Sequence, residues 1–269
     1  MGLWVVKLGG SLITDKERPS TARRDVIRRL ARELAAARAR LAEPLLVSHG
    51  SGSFGHAAAA RHDLRGGVRD PAQLPGVAET QDQAHRLHRI VMAELLDAGL
   101  DAFSLAPSSF LVADDGVPVE VHLEPLLRAL AIGLVPVVFG DVVMDRRRGA
   151  SICSTETVLM ALQPRLAAAG RPVATVLWMG APPGVLDAEG KTVPAITPRN
   201  LDAVLAAASG AAGTDVTGGM RHRVETAWRL AGQGVVSHIL DGREAGALER
   251  ALAGDAVTGT VVEPQVGSL

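Results

Sequence analysis

Lysine is almost missing from this chain. Of its 28 lysine and arginine residues only three are lysines, at positions 7, 16 and 191, so 25 are arginines. Two of the three, Lys7 and Lys16, lie around one glycine pair in KLGGSLITDK. Arginine is a rigid planar fork, whereas the lysine ammonium is a compact point charge that fits between phosphate oxygens. The retained lysines predict a phosphate site here. The alternative is that they are ordinary surface lysines present by chance. This alternative is stronger for Lys16, which lies in a polar loop.

Three further scarcities exclude classes of protein. The single cysteine, Cys153, cannot form an intramolecular disulfide and suits a reducing cytosol. No apolar run approaches the ~18 residues needed to cross a bilayer, and the start MGLWVVKLGG is interrupted by a charge, unlike a signal peptide. The net charge of −1 lacks the basic surplus of a non-specific nucleic-acid binder. We therefore expect a cytoplasmic protein with neither nucleic acid nor membrane as a partner.

Short apolar runs alternate with longer amphipathic stretches along the chain. The predicted strands are Leu3 to Leu8, Pro44 to His49, Asp101 to Leu105, Leu134 to Gly140, Pro172 to Trp178 and Gly234 to Leu240. The predicted helices are Arg23 to Ala42, Val77 to Ala98, Leu123 to Ile132, Ser154 to Ala168, Pro198 to Ala208 and Gly219 to Ala231. This alternation predicts an α/β fold with a mostly parallel sheet and helices on both faces. No linker forces a division of residues 1–269, so we expect a single domain.

A second glycine loop, HGSGSFGH, runs from His49 to His56 after a predicted strand. Its glycines satisfy GxGxxG, but the acidic residue at the right distance, Asp70, lies in a loop and not at a strand end. The dinucleotide-binding interpretation therefore fails on context. An anion-binding loop remains, and a histidine at its end, His56, can donate a hydrogen bond to a phosphate. The alternative for His56 is a solvent-facing histidine at a helix start.

Two polar stretches follow later in the chain. VVFGDVVMD ends a predicted strand at Gly140 and Asp141, before the hairpin-like DRRRGASIC. TDVTGGMRHRVETA, residues 214–227, is a glycine-rich turn before a helix with Arg221 and Arg223 in its first turn. Cations at a helix start oppose the helix dipole, so a bound polyphosphate would explain them. Solvated arginines in an arginine-rich protein are the alternative.

Two histidines, His85 and His88, are three residues apart on the helix predicted from Val77 to Ala98. No thiolate or third ligand stands nearby in the sequence. We therefore expect both to be surface residues, and no metal site.

The stretches KLGGSLITDK, HGSGSFGH, FGDVV and DVTGGM, in this order and at these spacings, resemble the amino acid kinase superfamily over nearly the whole chain. The lysine at position 16, with the histidine that closes HGSGSFGH, is most similar to the isopentenyl phosphate kinases and the related fosfomycin resistance kinase. The resemblance implies a three-layer αβα sandwich with an open, mostly parallel sheet, usually as a homodimer. It implies an acceptor-binding half of about residues 1–165 and a nucleotide-binding half of about 166–269. The activity it implies is transfer of the γ-phosphoryl group of ATP, with Mg²⁺, to a small phosphorylated acceptor such as isopentenyl phosphate.

The resemblance also implies roles for the matching residues. Lys7 would bridge the ATP phosphates and the transferring group, and Lys16 would hold the γ-phosphoryl group as it moves. Asp141 would lie at the mouth of the site. The residues implied at the nucleotide phosphates are Lys7, Gly9, Gly10, Ser11, Ser51, Gly218, Arg221 and Arg223. Those implied at the acceptor are Gly50, Gly52, Gly55, His56 and Asp141, and no side chain is assigned as a dedicated metal ligand.

Four departures from the family pattern leave the function open. Ser51 replaces one glycine of the family's HGGGSFGH, and this is a small change. Glu156 stands where an aspartate organises the lysines, and Ala181 stands where an aspartate is expected in the nucleotide stretch. The lysines after GGM are Arg221 and Arg223, and arginine is not a neutral replacement at a phosphate. Three functions remain: an isopentenyl phosphate kinase, a kinase for another acceptor such as fosfomycin or another phosphomonoester, and a weakly catalytic nucleotide-binding relative.

The acceptor pocket should separate the first two functions. If the family geometry holds, the helix from Val77 to Ala98 lines it, and an isoprenoid needs an apolar cleft there. This helix offers both kinds of residue: Val77, Ile90, Val91 and Met92 are apolar, whereas Gln81, Gln83, His85 and His88 are polar. The sequence therefore leaves the acceptor open.

Overall fold

The described strands form two sheets. The computed structural model describes residues 2–210 and 219–264. Its strands are β1 (Leu3–Leu8), β2 (Leu45–His49), β3 (Ala102–Ser104), β4 (Leu111–Asp114), β5 (Val117–Val121), β6 (Val135–Phe139), β7 (Asp141–Asp145), β8 (Gly149–Cys153), β9 (Val173–Gly180), β10 (Ala195–Ile196), β11 (Val236–Asp241) and β12 (Gly259–Val262). Eight of them make the central sheet, in the order β10-β12-β11-β9-β1-β2-β6-β3. The other four make a small sheet, in the order β5-β4-β7-β8.

Helices pack on both faces of the central sheet. They are α1 (Gly10–Ile13), α2 (Arg24–Arg38), α3 (Gly52–Arg61), α4 (Leu74–Asp97), α5 (Glu124–Ala131), α6 (Thr155–Ala168), α7 (Leu201–Gly210), α8 (Gly219–Ala231) and α9 (Ala247–Ala253). Successive side chains of a strand point to opposite faces, so Val5 and Trp178 belong to one apolar cluster, and Val6 and Leu177 to another. No helix of the described residues has the length and apolarity needed to cross a membrane.

The central sheet is parallel except at one pair of strands. β1 pairs in parallel with both β2 and β9, and β6 pairs in parallel with β2 and β3. Only β11 and β12 run antiparallel among the pairs of this described sheet. Because parallel strands end at the same edge, the loops after β1, β2 and β6 lie side by side. The predicted fold class, an αβα sandwich with a mostly parallel sheet, is confirmed.

The predicted elements all overlap observed ones, but the small sheet was only half predicted. The hairpin after Asp141 is present as the antiparallel pair β7 and β8. The hairpin of β4 and β5 was missed. Its turn is Asp115 and Gly116, both with positive φ, 54° and 84°. Aspartate followed by glycine is a strong signal for such a two-residue hairpin turn, so the sequence did contain the information.

Candidate active site

A cleft of about 610 Å³ opens at the carboxyl ends of β1, β2 and β6. Its walls include Gly10 and Ser11 of the first glycine loop (residues 9–11), the second glycine loop (residues 50–55), the junction of β6 and β7, and the start of α6. α4 and the start of α8 also contribute. Ligands of open α/β sheets bind in crevices of this kind. The fold thus brings stretches that are far apart in the sequence into one cleft.

The two glycine loops touch each other. A Cβ atom on Gly10 would lie 2.7 Å from the nitrogen of Gly52, and one on Gly50 would lie 3.0 Å from the nitrogen of Gly10. Gly52 also has a φ of +51°, in the left-handed region that favours glycine. These glycines are therefore required for packing between the loops, in addition to any contact with a ligand.

Lys7 and Glu156 form a buried ion pair on the floor of the cleft. Lys7 Nζ lies 2.7 Å from Glu156 Oε1, and the two residues are only 4% and 8% exposed. Burial acts to raise the pKa of Glu156, but the charge and hydrogen bond of Lys7, with the charge of Arg223, lower it to about 2. The carboxylate is therefore ionised at neutral pH. The longer side chain of Glu156 keeps the contact with lysine expected of the family's aspartate.

Arg221 and Arg223 have different environments although they are two residues apart. Arg223 is buried and lines the cleft, where a Cβ atom on Gly180 would lie 2.6 Å from its Nη1. Arg221 is exposed, and its Nε donates to Glu225 Oε1 at 2.8 Å. The cleft therefore takes its arginine charge on this side from Arg223, and Arg221 does not line it.

The opposite side of the cleft carries hydrogen-bonding side chains and a second lysine. Lys16 and His56 line it with exposed side chains. The surrounding atoms displace enough water from the His56 ring to lower its pKa. The charges of Lys16 and Lys7 also lower this pKa, whereas the charge of Glu156 acts to raise it. The hydroxyls of Ser53 and Thr80 are buried without a hydrogen-bond partner in the described part of the chain. Both residues line the cleft, so their hydroxyls can bind a ligand.

Asp141 is held rigidly at the buried wall. Its Oδ2 accepts from the backbone N–H of Ser108 at 3.0 Å, and its Oδ1 accepts from that of Val142 at 2.8 Å. His85 Nε2 lies 3.4 Å from Oδ2. Asp141 is only 2% exposed and lines the cleft. The expectation that it lies at the mouth is wrong, because its two backbone hydrogen bonds draw the carboxylate inward.

The structure brings most of the predicted site residues together. Those that line the cleft are Lys7, Gly10, Ser11, Lys16, Gly50, Ser51, Gly52, Gly55, His56, Asp141, Glu156 and Arg223. Gly9 does not line it; its N–H donates to the Met179 carbonyl at 2.8 Å and fixes the first loop to β9. Arg221 faces solvent, as described above. Gly218 lies outside the described residues.

α4 lines the cleft with residues that the sequence did not single out. They are Thr80 and Ala84, one helical turn apart, and none of the eight α4 residues weighed for the acceptor pocket lines it. His88 lies on the same buried face and is 4% exposed, so the expectation of a surface histidine is wrong for it. The signal was the apolar stripe of Ala84, Leu87 and Val91, which includes position 88.

One further cleft residue, His222 at the start of α8, was also missed. Its Nε2 lies 3.3 Å from the Oγ of Ser154, the N-cap residue of α6.

Among the described residues no group of three or more histidine, cysteine, aspartate or glutamate side chains could hold a metal ion.

Comparison with known proteins places this geometry in a family. A model of the amino acid kinase family matches residues 2–241. The chain is 34% identical to the isopentenyl phosphate kinase of Methanothermobacter thermautotrophicus, over 95% of this chain and 97% of that protein. It is also 34% identical to that of Haloferax volcanii, over 89% and 91%. Its fold matches an X-ray structure of isopentenyl phosphate kinase with a TM-score of 0.81, at 29% identity, over 97% of this chain and 99% of the other. The chain therefore belongs to the amino acid kinase family and, within it, to the isopentenyl phosphate kinases.

Proposed function

We propose that this protein transfers the γ-phosphoryl group of ATP to isopentenyl phosphate and releases isopentenyl diphosphate and ADP. The relatives named above carry this activity in their names. The observation that carries the proposal in this chain is the single cleft in which Lys7, Lys16 and His56 meet two glycine loops. Such a cleft can hold two phosphorylated ligands, because its cations and amides lie on more than one wall.

The acceptor phosphate needs little activation by the protein. One of its oxygens attacks the γ-phosphorus of ATP, and the bond from that phosphorus to the β-phosphate oxygen breaks, so that ADP leaves with the electron pair. The attacking oxygen is already an anion, so no general base is required. Catalysis then consists of positioning the two phosphates and neutralising their charge.

Lys7 provides the central positive charge. Glu156 fixes the position of its ammonium group through the 2.7 Å hydrogen bond, and further N–H bonds of the ammonium can point at phosphate oxygens. Lys16 extends from the exposed wall and can follow the γ-phosphoryl group as it moves. Arg223 adds charge beside Glu156, on the nucleotide side.

The acceptor phosphate is assigned to the second glycine loop and His56. A hydrogen-bearing ring nitrogen of His56 can donate one N–H to this phosphate. The isoprenoid chain is assigned to the part of the cleft lined by Ala59, Ala84, Val142 and Ile152. These small and apolar side chains favour a short hydrocarbon chain over a polar one, since apolar surface gains free energy when it leaves water.

The residues present suit Mg²⁺ that arrives with ATP. Mg²⁺ is usually bound by one or two carboxylates together with substrate phosphates, and Asp141 offers a carboxylate with unused lone pairs at the cleft wall. Asp141 would hold the ion directly or through water, and the ion would supply charge neutralisation at the phosphate oxygens.

The proposal also includes the organisation of the molecule. We assign the acceptor to the half of about residues 1–165 and the nucleotide to the half of about 166–269. The cleft residues fit this division, since Gly219, His222 and Arg223 come from the second half. A cytoplasmic homodimer is proposed from the family resemblance, and light scattering of the purified protein measures its mass in solution.

A panel of acceptors tests the function. The purified protein is incubated with ATP and Mg²⁺ and with isopentenyl phosphate, fosfomycin or a short polar phosphomonoester, and ADP release is measured. We expect the highest kcat/KM with isopentenyl phosphate, and phosphorus NMR should show a new diphosphate. The matched control is isopentenyl alcohol, which keeps the hydrocarbon and lacks the phosphate, and should give only background ADP. Preference for fosfomycin or a polar phosphomonoester would contradict the assigned acceptor, and ATP binding without turnover on any acceptor would contradict the kinase activity.

A further inference from the structure

His49 is the last residue of β2 and directly precedes the second glycine loop. It is completely buried, and its ring stacks on Phe139 with centroids 5.5 Å apart. Its backbone oxygen accepts hydrogen bonds from the Gly140 N–H at 3.1 Å and from the Thr155 hydroxyl at 2.7 Å. His49 therefore lies where the walls built by β2, β6 and α6 meet, although its side chain does not line the cleft.

The hydrogen bonds of the His49 ring determine which nitrogens carry protons. Nδ1 lies 3.1 Å from the Gly50 carbonyl oxygen, which can only accept, so Nδ1 carries the hydrogen. In a neutral ring Nε2 is then an acceptor, and it lies 3.0 Å from Nδ1 of His88, which must donate. Nε2 of His88 in turn accepts from the Ser104 hydroxyl at 2.7 Å. Burial lowers the pKa of His49 to about 4 and that of His88 to about 2, so both rings are neutral.

This chain of hydrogen bonds fixes the peptide group between Gly50 and Ser51. The peptide is trans, and in a trans peptide the C=O and N–H bonds point in opposite directions. Because the Gly50 oxygen turns toward the buried His49 ring, the Ser51 N–H turns away from it. The Ser51 nitrogen lies beside Gly140, where a Cβ atom would be 3.6 Å away, and both residues line the cleft. Within the described residues, the Ser51 N–H donates to no protein group.

α4 connects this peptide to the acceptor side of the cleft. Thr80, Ala84 and His88 are spaced by four residues and share one face of the helix. Thr80 and Ala84 line the cleft, and His88 donates to His49. The helix that lines the pocket thus also holds the second glycine loop in its orientation.

We propose that His49 and His88 form a positioning pair that holds the Ser51 N–H toward the acceptor phosphate. Neither ring contacts the substrate; the pair acts through the Gly50–Ser51 peptide. The inference rests on the proposed function, because it needs a phosphorylated acceptor in the second loop. It adds two buried residues to the acceptor site, and it assigns the backbone N–H of Ser51 to the acceptor phosphate, whereas the family resemblance implied Ser51 at the nucleotide phosphates.

The test replaces His88, because His49 is too central to the fold to be removed cleanly. His88→Leu leaves the buried Nε2 of His49 without a donor, so the hydrogen is no longer fixed on Nδ1, and the bond from Nδ1 that orients the Gly50–Ser51 peptide is weakened. We expect kcat/KM for isopentenyl phosphate to fall about 5- to 20-fold, while the ATP KM changes less than about twofold. His88→Asn places an amide N–H near the position of Nδ1 and can still donate to His49. It should restore most of the wild-type acceptor kinetics.

Val91→Ala is the matched control. Val91 is buried one turn further along α4, and its apolar side chain makes no hydrogen bond. The cavity should lower the unfolding temperature without changing acceptor kinetics at temperatures where the protein is folded. A loss specific to His88→Leu and rescued by His88→Asn supports the pair. Unchanged acceptor kinetics in His88→Leu, or an equal loss in Val91→Ala, overturns it.

Calorimetric titration with isopentenyl phosphate separates this inference from the proposed function. A wild-type protein that binds isopentenyl phosphate but releases no ADP contradicts the kinase activity. The affinities of the same variants still test the pair in that case: weaker binding by His88→Leu alone supports it, and equal affinities overturn it.

Discussion

The two glycine loops follow neighbouring parallel strands and touch each other, yet their electrostatics differ. The first loop follows Lys7, whose charge is fixed by the carboxylate of Glu156. The second loop lies between the buried His49 and the more exposed His56, and the pKa values of both are lowered, mainly because surrounding atoms displace water from their rings. The difference indicates a division of labour. In the proposed function, the fixed charge of Lys7 would serve the phosphoryl group in transfer, and the hydrogen-bond donors of the second loop would orient the acceptor phosphate.

Removing the charge at the first loop should have the largest effect. Lys7→Ala takes the ammonium from the floor of the cleft, so kcat should fall at least about 100-fold. Lys7→Arg keeps the charge but replaces the compact ammonium with a planar fork, and should cost at least about 10-fold. Steady-state kinetics measure both variants, with circular dichroism to check the fold. Wild-type activity in Lys7→Arg would remove the explanation for the retained lysine.

Glu156→Gln tests what holds that charge in place. The change leaves Lys7 and Arg223 without a buried carboxylate, and breaking a buried ion pair costs about 3–5 kcal/mol of unfolding free energy. Because the folded pKa of Glu156 lies below its ordinary value of 4.5, the pair stabilises the protein fully above 4.5. This stabilisation is lost as the pH falls through about 2. Urea unfolding should therefore show a difference from wild type that is constant near neutral pH and shrinks below 4.5.

Glu225→Gln is the matched control for Glu156→Gln. It removes the exposed pair with Arg221, and exposed pairs contribute at most about 1 kcal/mol. Equal destabilisation by the two substitutions would mean that the buried Lys7–Glu156 pair contributes no more to the free energy of unfolding than an exposed pair.

Removing the donor at the second loop should affect one substrate only. A hydrogen bond to a charged group contributes roughly 1.5–3 kcal/mol, so His56→Ala should lower kcat/KM for the acceptor about 10- to 150-fold. The ATP KM should change least, because His56 is assigned to the acceptor. His56→Gln can retain one donor and should be milder. Kinetics with each substrate varied in turn provide the measurement, and unchanged acceptor values in His56→Ala would rule out the assigned contact.

The two arginines of α8 give the smallest effects and the sharpest contrast. Arg223→Ala removes a buried charge from the nucleotide side and should raise the ATP KM about 10-fold. Arg221→Ala removes an exposed side chain paired with Glu225 and should stay within about twofold of wild type for both substrates. Both values come from one ATP titration per variant. A larger rise of the ATP KM in Arg221→Ala than in Arg223→Ala would show that lining the cleft does not identify the arginine that contacts the phosphates.

The central sheet and the first loop could be predicted from the sequence because their signals are local. An apolar run ending in KLGG identifies β1, the glycine pair and Lys7 together. The ion pair could not be derived from local patterns, since Lys7 and Glu156 are 149 residues apart; only the resemblance to the family, which has an aspartate that organises the lysines at position 156, indicated it. His88 was misjudged because histidine is polar, although its position within the apolar stripe of α4 placed it inside. Arg221 and Arg223 read alike in sequence, and only their places on the α8 surface separate them.

The division of labour between the loops can be measured directly by binding. Lys7→Ala and His56→Ala are each titrated calorimetrically with a non-hydrolysable ATP analogue and with isopentenyl phosphate. We expect a crossed pattern: Lys7→Ala loses affinity mainly for the nucleotide, and His56→Ala loses affinity mainly for isopentenyl phosphate. The same loss for both ligands in both variants would contradict the account.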